Sequence, residues 1–401
     1  MMIRLRTMDD LGDIRGLCCL LRVDWNVPFI GSKVADTTRI ERVIPTILEL
    51  IEKKAKIVIL SHLGRPRNKL DQEFSLSRVI STAESILNKK ILFVQDCIGT
   101  SLSQSIASLS EGSIILAENV RFYSEEEKND PDFVRMLSRN GDFYINDAFS
   151  VSHRAHASVE GLSRVLPSYI GRAMQKELST LENCFTTCCK PLTAIIGGSK
   201  VSTKITLLSN LVKKVNKLVI GGGMANSFLA AEGIGVGKSL CQNDFSENVH
   251  QIMCEAKKCG CEIIIPQDVV VAKELKEGIA TQVVPTEYVP PDSMILDIGF
   301  KTVEYIKHVI AQSRTVIWNG PLGVFETKPF DLATIEIARY VAKLTKEGSI
   351  ISIAGGGDTI AALAHAGISQ ELTYVSTAGG AFFEWLEGKD LPGISVLSCN
   401  N

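Results

Sequence analysis

Short aliphatic and β-branched runs alternate with helix-period segments along the whole chain, and that alternation constrains the fold more than any other feature. Neighbouring parallel strands need a long crossover, and a helix usually supplies it. In the first half, runs at 17–24, 56–61, 91–94, 114–118 and 143–146 read as strands. Between the first two, Ile40, Val43, Ile44, Ile47, Leu48 and Ile51 mark one face of a helix, which Pro45 is expected to kink. In the second half, runs at 192–196, 217–220, 262–265, 294–297, 315–318 and 350–353 repeat the style. The pattern predicts an α/β protein with two open parallel sheets. A length of 401 residues suits two or three domains of roughly 100–200 residues each. Met174, Leu178, Leu181 and Phe185 recur at helical spacing between the halves and read as a joining helix.

The formal net charge of −2 offers no basic excess for nucleic acid, so an anion site has to be a local cluster. Residues 1–13 lack the apolar core of a signal peptide. Apolar runs such as 350–354 are strand-length, well short of the ~20 residues a spanning helix needs. A cytoplasmic protein is the expectation, with no membrane partner. Neither Cys254, Cys259 and Cys261 nor Cys184, Cys188 and Cys189 has the paired spacing of a zinc site. The 11 cysteines therefore read as reduced thiols.

Four glycine stretches fall where a strand ends and a helix can begin: Gly197-Gly198, Gly221-Gly222-Gly223, Gly355-Gly356-Gly357 and Gly379-Gly380. Helix N-termini there offer free N–H groups, and glycine lets a phosphate approach the backbone. All four lie after residue 190, which makes the second half the nucleotide half. Two familiar motifs fail. The segment from Gly233 to Ser239 has three residues, not four, between its P-loop-like glycines, and Asn226 replaces the third glycine of a dinucleotide fingerprint. Lys200 and Lys204 are four apart, so a helix there puts them on one face, either to neutralise phosphates or as surface lysines. Asp358 either holds Mg²⁺ through waters or caps the helix beginning near Thr359.

The first half carries a different signature. Asp24, Asn26, Arg39, His62, Arg65, Arg121, Arg154 and His156 cluster at strand ends and nearby loops. Arginine forks bind carboxylate and phosphate bidentately, which suits a small, multiply anionic substrate. No Ser-His-Asp arrangement stands out. Phosphoryl transfer needs mainly positioning and charge neutralisation, and an ionised acceptor needs no base.

Over nearly its whole length the sequence resembles the phosphoglycerate kinase family. The resemblance rests on Arg22-Val-Asp-Trp-Asn-Val-Pro28, Asp36-Thr-Thr-Arg-Ile40, Ser61-His-Leu-Gly-Arg-Pro66 and Glu118-Asn-Val-Arg-Phe-Tyr123. It continues through Asn146-Asp-Ala-Phe149, His153-Arg-Ala-His156, Gly197-Gly-Ser-Lys-Val-Ser-Thr-Lys204 and Gly221-Gly-Gly-Met224. Further blocks are Trp318-Asn-Gly-Pro-Leu-Gly-Val-Phe-Glu326, Gly355-Gly-Gly-Asp-Thr359 and Leu386-Glu-Gly-Lys-Asp-Leu-Pro-Gly393.

The resemblance implies two Rossmann-like domains joined by a helix and hinge. It implies a 3-phosphoglycerate domain at 1–172, a connecting helix at 173–189, a nucleotide domain at 190–387, and a tail at 388–401 packing back on the first domain. The implied reaction is reversible transfer of the acyl phosphate of 1,3-bisphosphoglycerate to MgADP, by a cytoplasmic monomer that bends at its hinge. Asp24, Asn26, Arg39, His62, Leu63, Gly64, Arg65, Arg121 and Arg154 would bind the phosphoglycerate, with Arg39 steadying the transferring group. Lys204, Asn319, Glu326, Gly356, Gly357, Asp358 and Thr359 would bind ATP or ADP, with Glu326 on the ribose and Asp358 on Mg²⁺. Arg39, Lys200, Gly357 and Gly380 would serve the transferring group. The sequence departs from the family pattern at Trp25, Ser150, Thr203, Phe300, Ala378 and Phe382-Phe383. Two other readings remain. Asn226 and the arginine-rich first half weigh against a dehydrogenase, and retention of Arg39, Lys200, Lys204 and Asp358 weighs against a non-catalytic scaffold.

Overall fold

The computed structural model describes residues 5–66, 71–184, 190–368, 371–376 and 378–398, without the side chains of Cys184 and Phe383. The chain divides into two compact units, Met1–Ser179 with Asp390–Asn401, and Thr180–Lys389.

The first unit is built on a six-stranded sheet in the order Ile91–Val94, Ile114–Ala117, Lys56–Leu60, Cys18–Arg22, Phe143–Asn146, Ser168–Ile170. Every pairing is parallel. Cys18–Arg22 is buried at all five positions, so its side chains alternate between two cores. Cys19 and Leu21 join Ile57, Ile59, Ile40 and Ile47 on one face, while Cys18 and Leu20 join Val58, Leu60, Phe133 and Tyr144 on the other. A sheet covered on both faces reads as continuous apolar runs, which is why these strands were legible. Pro45 does more than kink its helix. The segment divides into Thr38–Arg42 and Ile44–Glu52, with Pro45 in the first turn of the second, where a missing N–H costs nothing.

In the second unit a six-stranded parallel sheet runs Glu262–Ile264, Lys217–Ile220, Leu192–Ile196, Thr315–Asn319, Ile351–Gly355, Tyr374–Ser376. One sequence expectation is corrected here. Met294–Ile298 is not in that sheet; it pairs antiparallel with Asp268–Ala272, which pairs antiparallel with Gln282–Pro285. Gln282–Pro285 is mostly exposed and shows no apolar alternation, so this small sheet left little trace in the sequence. Ser168–Ile170 and Tyr374–Ser376 are three residues each, too short for a period to register.

The helix Arg172–Cys184 crosses the boundary between the units, and Phe185 lies outside the described residues. Its first turn is capped from a distance. The buried carboxylate of Asp147 accepts from Met174 N–H at 2.8 Å and from Thr46 Oγ1 at 2.6 Å, and burial pushes its pKa up to about 7. Asp268 does the same for Phe300–Ala311, accepting from Thr302 N–H at 2.8 Å. Phe300 itself is 64% exposed at the first helical position, so its departure from the family pattern disturbs no packing. Among the described residues, no helix is long and apolar enough to cross a membrane.

Candidate active site

In an open α/β sheet, ligands bind at the carboxyl ends of the strands where the strand order reverses. In the first unit that point lies between Cys18–Arg22 and Phe143–Asn146. The residues just beyond these strands meet there. Arg39 Nη1 donates to Asp24 Oδ2 at 2.7 Å and to the Asn26 carbonyl at 3.0 Å. Ser150 Oγ donates to the same Asp24 oxygen. Asn26 Oδ1 accepts from Gly64 N–H at 2.8 Å, and the Gly64 carbonyl accepts from Arg121 Nη1 at 2.8 Å. Gly64 has φ +59°, and a Cβ there would lie 2.3 Å from the Phe74 ring, so only glycine makes this turn. Asn119 Nδ2 ties down the Leu63 carbonyl at 2.8 Å. Arg65 is exposed on the same loop, and Arg154 is half-buried with its Nε donating to His153 Nε2 at 3.1 Å.

Behind this surface lies a layer that sequence reasoning missed. Arg22 is fully buried. Its Nε donates to Ser158 Oγ at 2.8 Å, its Nη1 to the Val23 carbonyl, and its Nη2 lies 3.1 Å from His62 Nδ1. Ser158 Oγ donates to buried Glu126 at 2.6 Å. An arginine ending an apolar strand was the available signal, since arginine is almost never fully buried unless paired.

The electrostatics are those of an anion site. Burial and the neighbouring Arg22, Arg121 and Arg39 hold the His62 imidazole well below the usual histidine range. Burial and Arg121 push His156 down to about 3, and burial and Arg22 lower Arg121 to about 10. Cations gathered this closely repel one another until an anion arrives.

In the second unit the strand order reverses between Leu192–Ile196 and Thr315–Asn319. Lys204 Nζ sits at that point, donating to the Gly197 carbonyl and to Asn319 Oδ1, both at 2.6 Å. Asn319 Nδ2 reaches the Gly355 carbonyl at 2.9 Å. Thr359 Oγ1 donates to that same carbonyl at 2.8 Å and accepts from Gly320 N–H at 2.7 Å. The ammonium thus ties two adjacent strand ends, and Asn319 Nδ2 carries the tie to a third. Gly356, at φ +101°, precedes the helix Gly357–His365 and leaves the N–H groups of its first turn bare. Asp358 is exposed in that turn. Burial lowers the pKa of Lys204 to about 8, with Asp358 pulling the other way.

The expected helical face carrying both lysines does not form. A 3₁₀ turn, Val201–Thr203, separates exposed Lys200 from Lys204, and the α-helix starts at Ile205. Glu326 is exposed in the loop after Thr315–Asn319. Gly380 opens the helix Gly380–Leu386. Phe382 is buried with its ring against Gly355, where an added Cβ would lie 2.5 Å away.

One unit with a cationic anion pocket and another with glycine-lined strand ends around a lysine define a phosphotransferase acting on small anionic molecules. Comparison with known proteins specifies which. A family profile described as phosphoglycerate kinase matches residues 8–389. The phosphoglycerate kinase of Agrobacterium fabrum is 55% identical over 393 residues, covering 98% of both chains. That of Rhizobium meliloti is 54% identical over 396 residues, covering 99% of both. The structure of phosphoglycerate kinase from Coxiella burnetii superposes with a TM-score of 0.88 at 39% identity, covering 98% of this chain and 99% of that one. The Pyrococcus horikoshii enzyme does so with a TM-score of 0.80 at 28% identity, covering 98% of each.

The chain belongs to the phosphoglycerate kinase family. Its activity is the family's glycolytic one, reversible phosphoryl transfer between 1,3-bisphosphoglycerate and ADP to give 3-phosphoglycerate and ATP.

Proposed function

We propose that the first unit binds the phosphoglycerate and the second binds the nucleotide. The observation that carries this division is the cation cluster around His62, which suits a small polyanion, set against the glycine-lined strand ends around Lys204. His62, Arg65, Arg121 and Arg154 hold the 3-phosphate, with Leu63 and Gly64 shaping the loop. Asp24 and Asn26 bind the glycerate and hold Arg39, which turns to the transferring phosphoryl group. Lys204, Asn319, Gly356, Gly357 and Thr359 hold the nucleotide phosphates, and Glu326 takes the ribose. Lys200 and Gly380 stabilise the group in flight. The acceptor is a carboxylate or a nucleotide phosphate, so charge neutralisation rather than a base does the chemistry.

Mg²⁺ fits this site. It takes one or two carboxylates together with phosphate and water oxygens, and Asp358 offers one exposed carboxylate beside the phosphate loop. When bound, the ion neutralises charge on the nucleotide phosphates. Asp358→Asn is expected to raise the Mg²⁺ concentration for half-maximal rate by about tenfold; an unchanged magnesium titration removes Asp358 as a ligand. On family grounds we extend the reading to a cytoplasmic monomer whose units bend at a hinge during turnover, excluding water.

Titration calorimetry tests the division directly. Arg121→Ala should weaken 3-phosphoglycerate binding about tenfold or more and leave ATP binding within about twofold. Equal losses for both ligands would refute it. Lys204 supplies a second check. With a pKa of about 8 it is half charged at pH 8, and bound phosphates favour the charged form. Nucleotide binding at pH 8 should therefore take up about half a proton, falling towards none near pH 6.5 as the lysine is already charged. Calorimetry in buffers of different ionisation enthalpy reads this, and no uptake at pH 8 separates Lys204 from the phosphates.

A further inference from the structure

We propose that Arg22 is a positioning residue that holds His62 as its neutral Nε2–H tautomer, so that His62 offers the anionic substrate a fixed hydrogen-bond donor independent of pH. The proposal rests on the reading of His62 as a substrate-binding residue.

A guanidinium only donates, and a carboxylate only accepts. Arg22 Nη2 lies 3.1 Å from His62 Nδ1, so Nδ1 is the acceptor and carries no proton. The single proton of the neutral ring is then on Nε2. The Arg22 fork cannot swing away, because Nη1 is bound to the Val23 carbonyl and Nε to Ser158 Oγ at 2.8 Å. Ser158 is held in turn by Glu126, which accepts from its hydroxyl at 2.6 Å and its N–H at 2.9 Å. Glu126, Ser158, Arg22 and His62 form a chain whose direction is set at both ends. Every member is buried.

A second proton on His62 is opposed on all sides. Arg22, Arg121, Arg39 and His156 face the ring, against the carboxylate of Asp24 at 3.9 Å and Glu126 behind Ser158. The depressed basicity of the ring follows from that surround and from burial. A neutral imidazole of fixed tautomer gives direction to the anion without a charge that comes and goes between about pH 5 and 8.

Nitrogen-15 NMR of the histidine rings in the whole wild-type enzyme tests the tautomer. His62 should show a protonated Nε2 and a bare Nδ1, with no titration from pH 8 down to pH 5. A proton on Nδ1, or a titration near pH 6.5, overturns the proposal. Arg22→Met removes the donor at similar length. In that variant His62 should titrate within the same range. The ratio of variant to wild-type KM for 3-phosphoglycerate should then rise about three- to tenfold between pH 6 and pH 8, the substrate's own phosphate titration cancelling. A ratio flat with pH overturns the role of Arg22. Should the variant fail to fold, the wild-type spectrum still decides. Adding 3-phosphoglycerate to the wild type separates the two levels: an unmoved His62 Nε2 signal counts against His62 as a ligand, and the tautomer at Nδ1 is read without substrate.

Discussion

Arg39→Ala lowers kcat by about two to three orders of magnitude while ATP affinity stays within about twofold. The expectation follows from how Arg39 is held. Its side chain is 30% exposed, with the guanidinium leaning on Asp24 at 2.7 Å and on the Asn26 carbonyl at 3.0 Å. Those contacts aim it, and a planar fork of five donors suits a phosphoryl group whose charge spreads over three oxygens. Its removal leaves Asp24 partnered by Ser150 and by Asn26 N–H, so the loop keeps its support and the loss falls on the transition state. Steady-state kinetics with saturating substrates measure it. A kcat within threefold of wild type takes Arg39 out of the chemistry.

Lys204→Ala has the second large effect, lowering kcat/KM for ATP by about a hundredfold. Two causes add. The phosphates lose a partly buried ammonium, and charge-assisted hydrogen bonds are worth roughly twice neutral ones. The strand ends also lose their tie, since Lys204 Nζ holds the Gly197 carbonyl and Asn319 Oδ1. Leaving those acceptors unmet costs about 1–3 kcal/mol of stability. Kinetics and a thermal melt together separate the causes: the rate falls through both, the melting temperature through the second alone. An unchanged KM for ATP alongside an unchanged melt contradicts both.

The sequence carried the buried parallel strands well, because a strand covered on both faces writes an uninterrupted apolar run. It carried the antiparallel sheet poorly, because Gln282–Pro285 faces solvent and shows no alternation. Pro45 predicts a kink, yet packing of Ile47 and Leu50 into the core restarts the helix at the proline instead. The contrast repeats at the site. Arg121, Lys204 and Asp358 announce themselves as charges at strand ends and glycine loops, and Arg39, which the structure places in the helix Thr38–Arg42, as part of the arginine-rich first half. Arg22, Ser158, Glu126 and Ser150 do not, because their work depends on partners distant in sequence, such as Ser150 on Asp24 and Ser158 on Arg22. Ser150 stands out in the sequence only as a departure from the family pattern; its hydroxyl proves to be a second donor on the carboxylate that aims Arg39.

A coupled assay with 3-phosphoglycerate and MgATP, repeated with each substrate omitted, tests the central claim most directly. Turnover that requires both substrates and magnesium, and that falls with Arg39→Ala, is the predicted result. Folded protein that binds MgADP and 3-phosphoglycerate yet transfers no phosphate would contradict it.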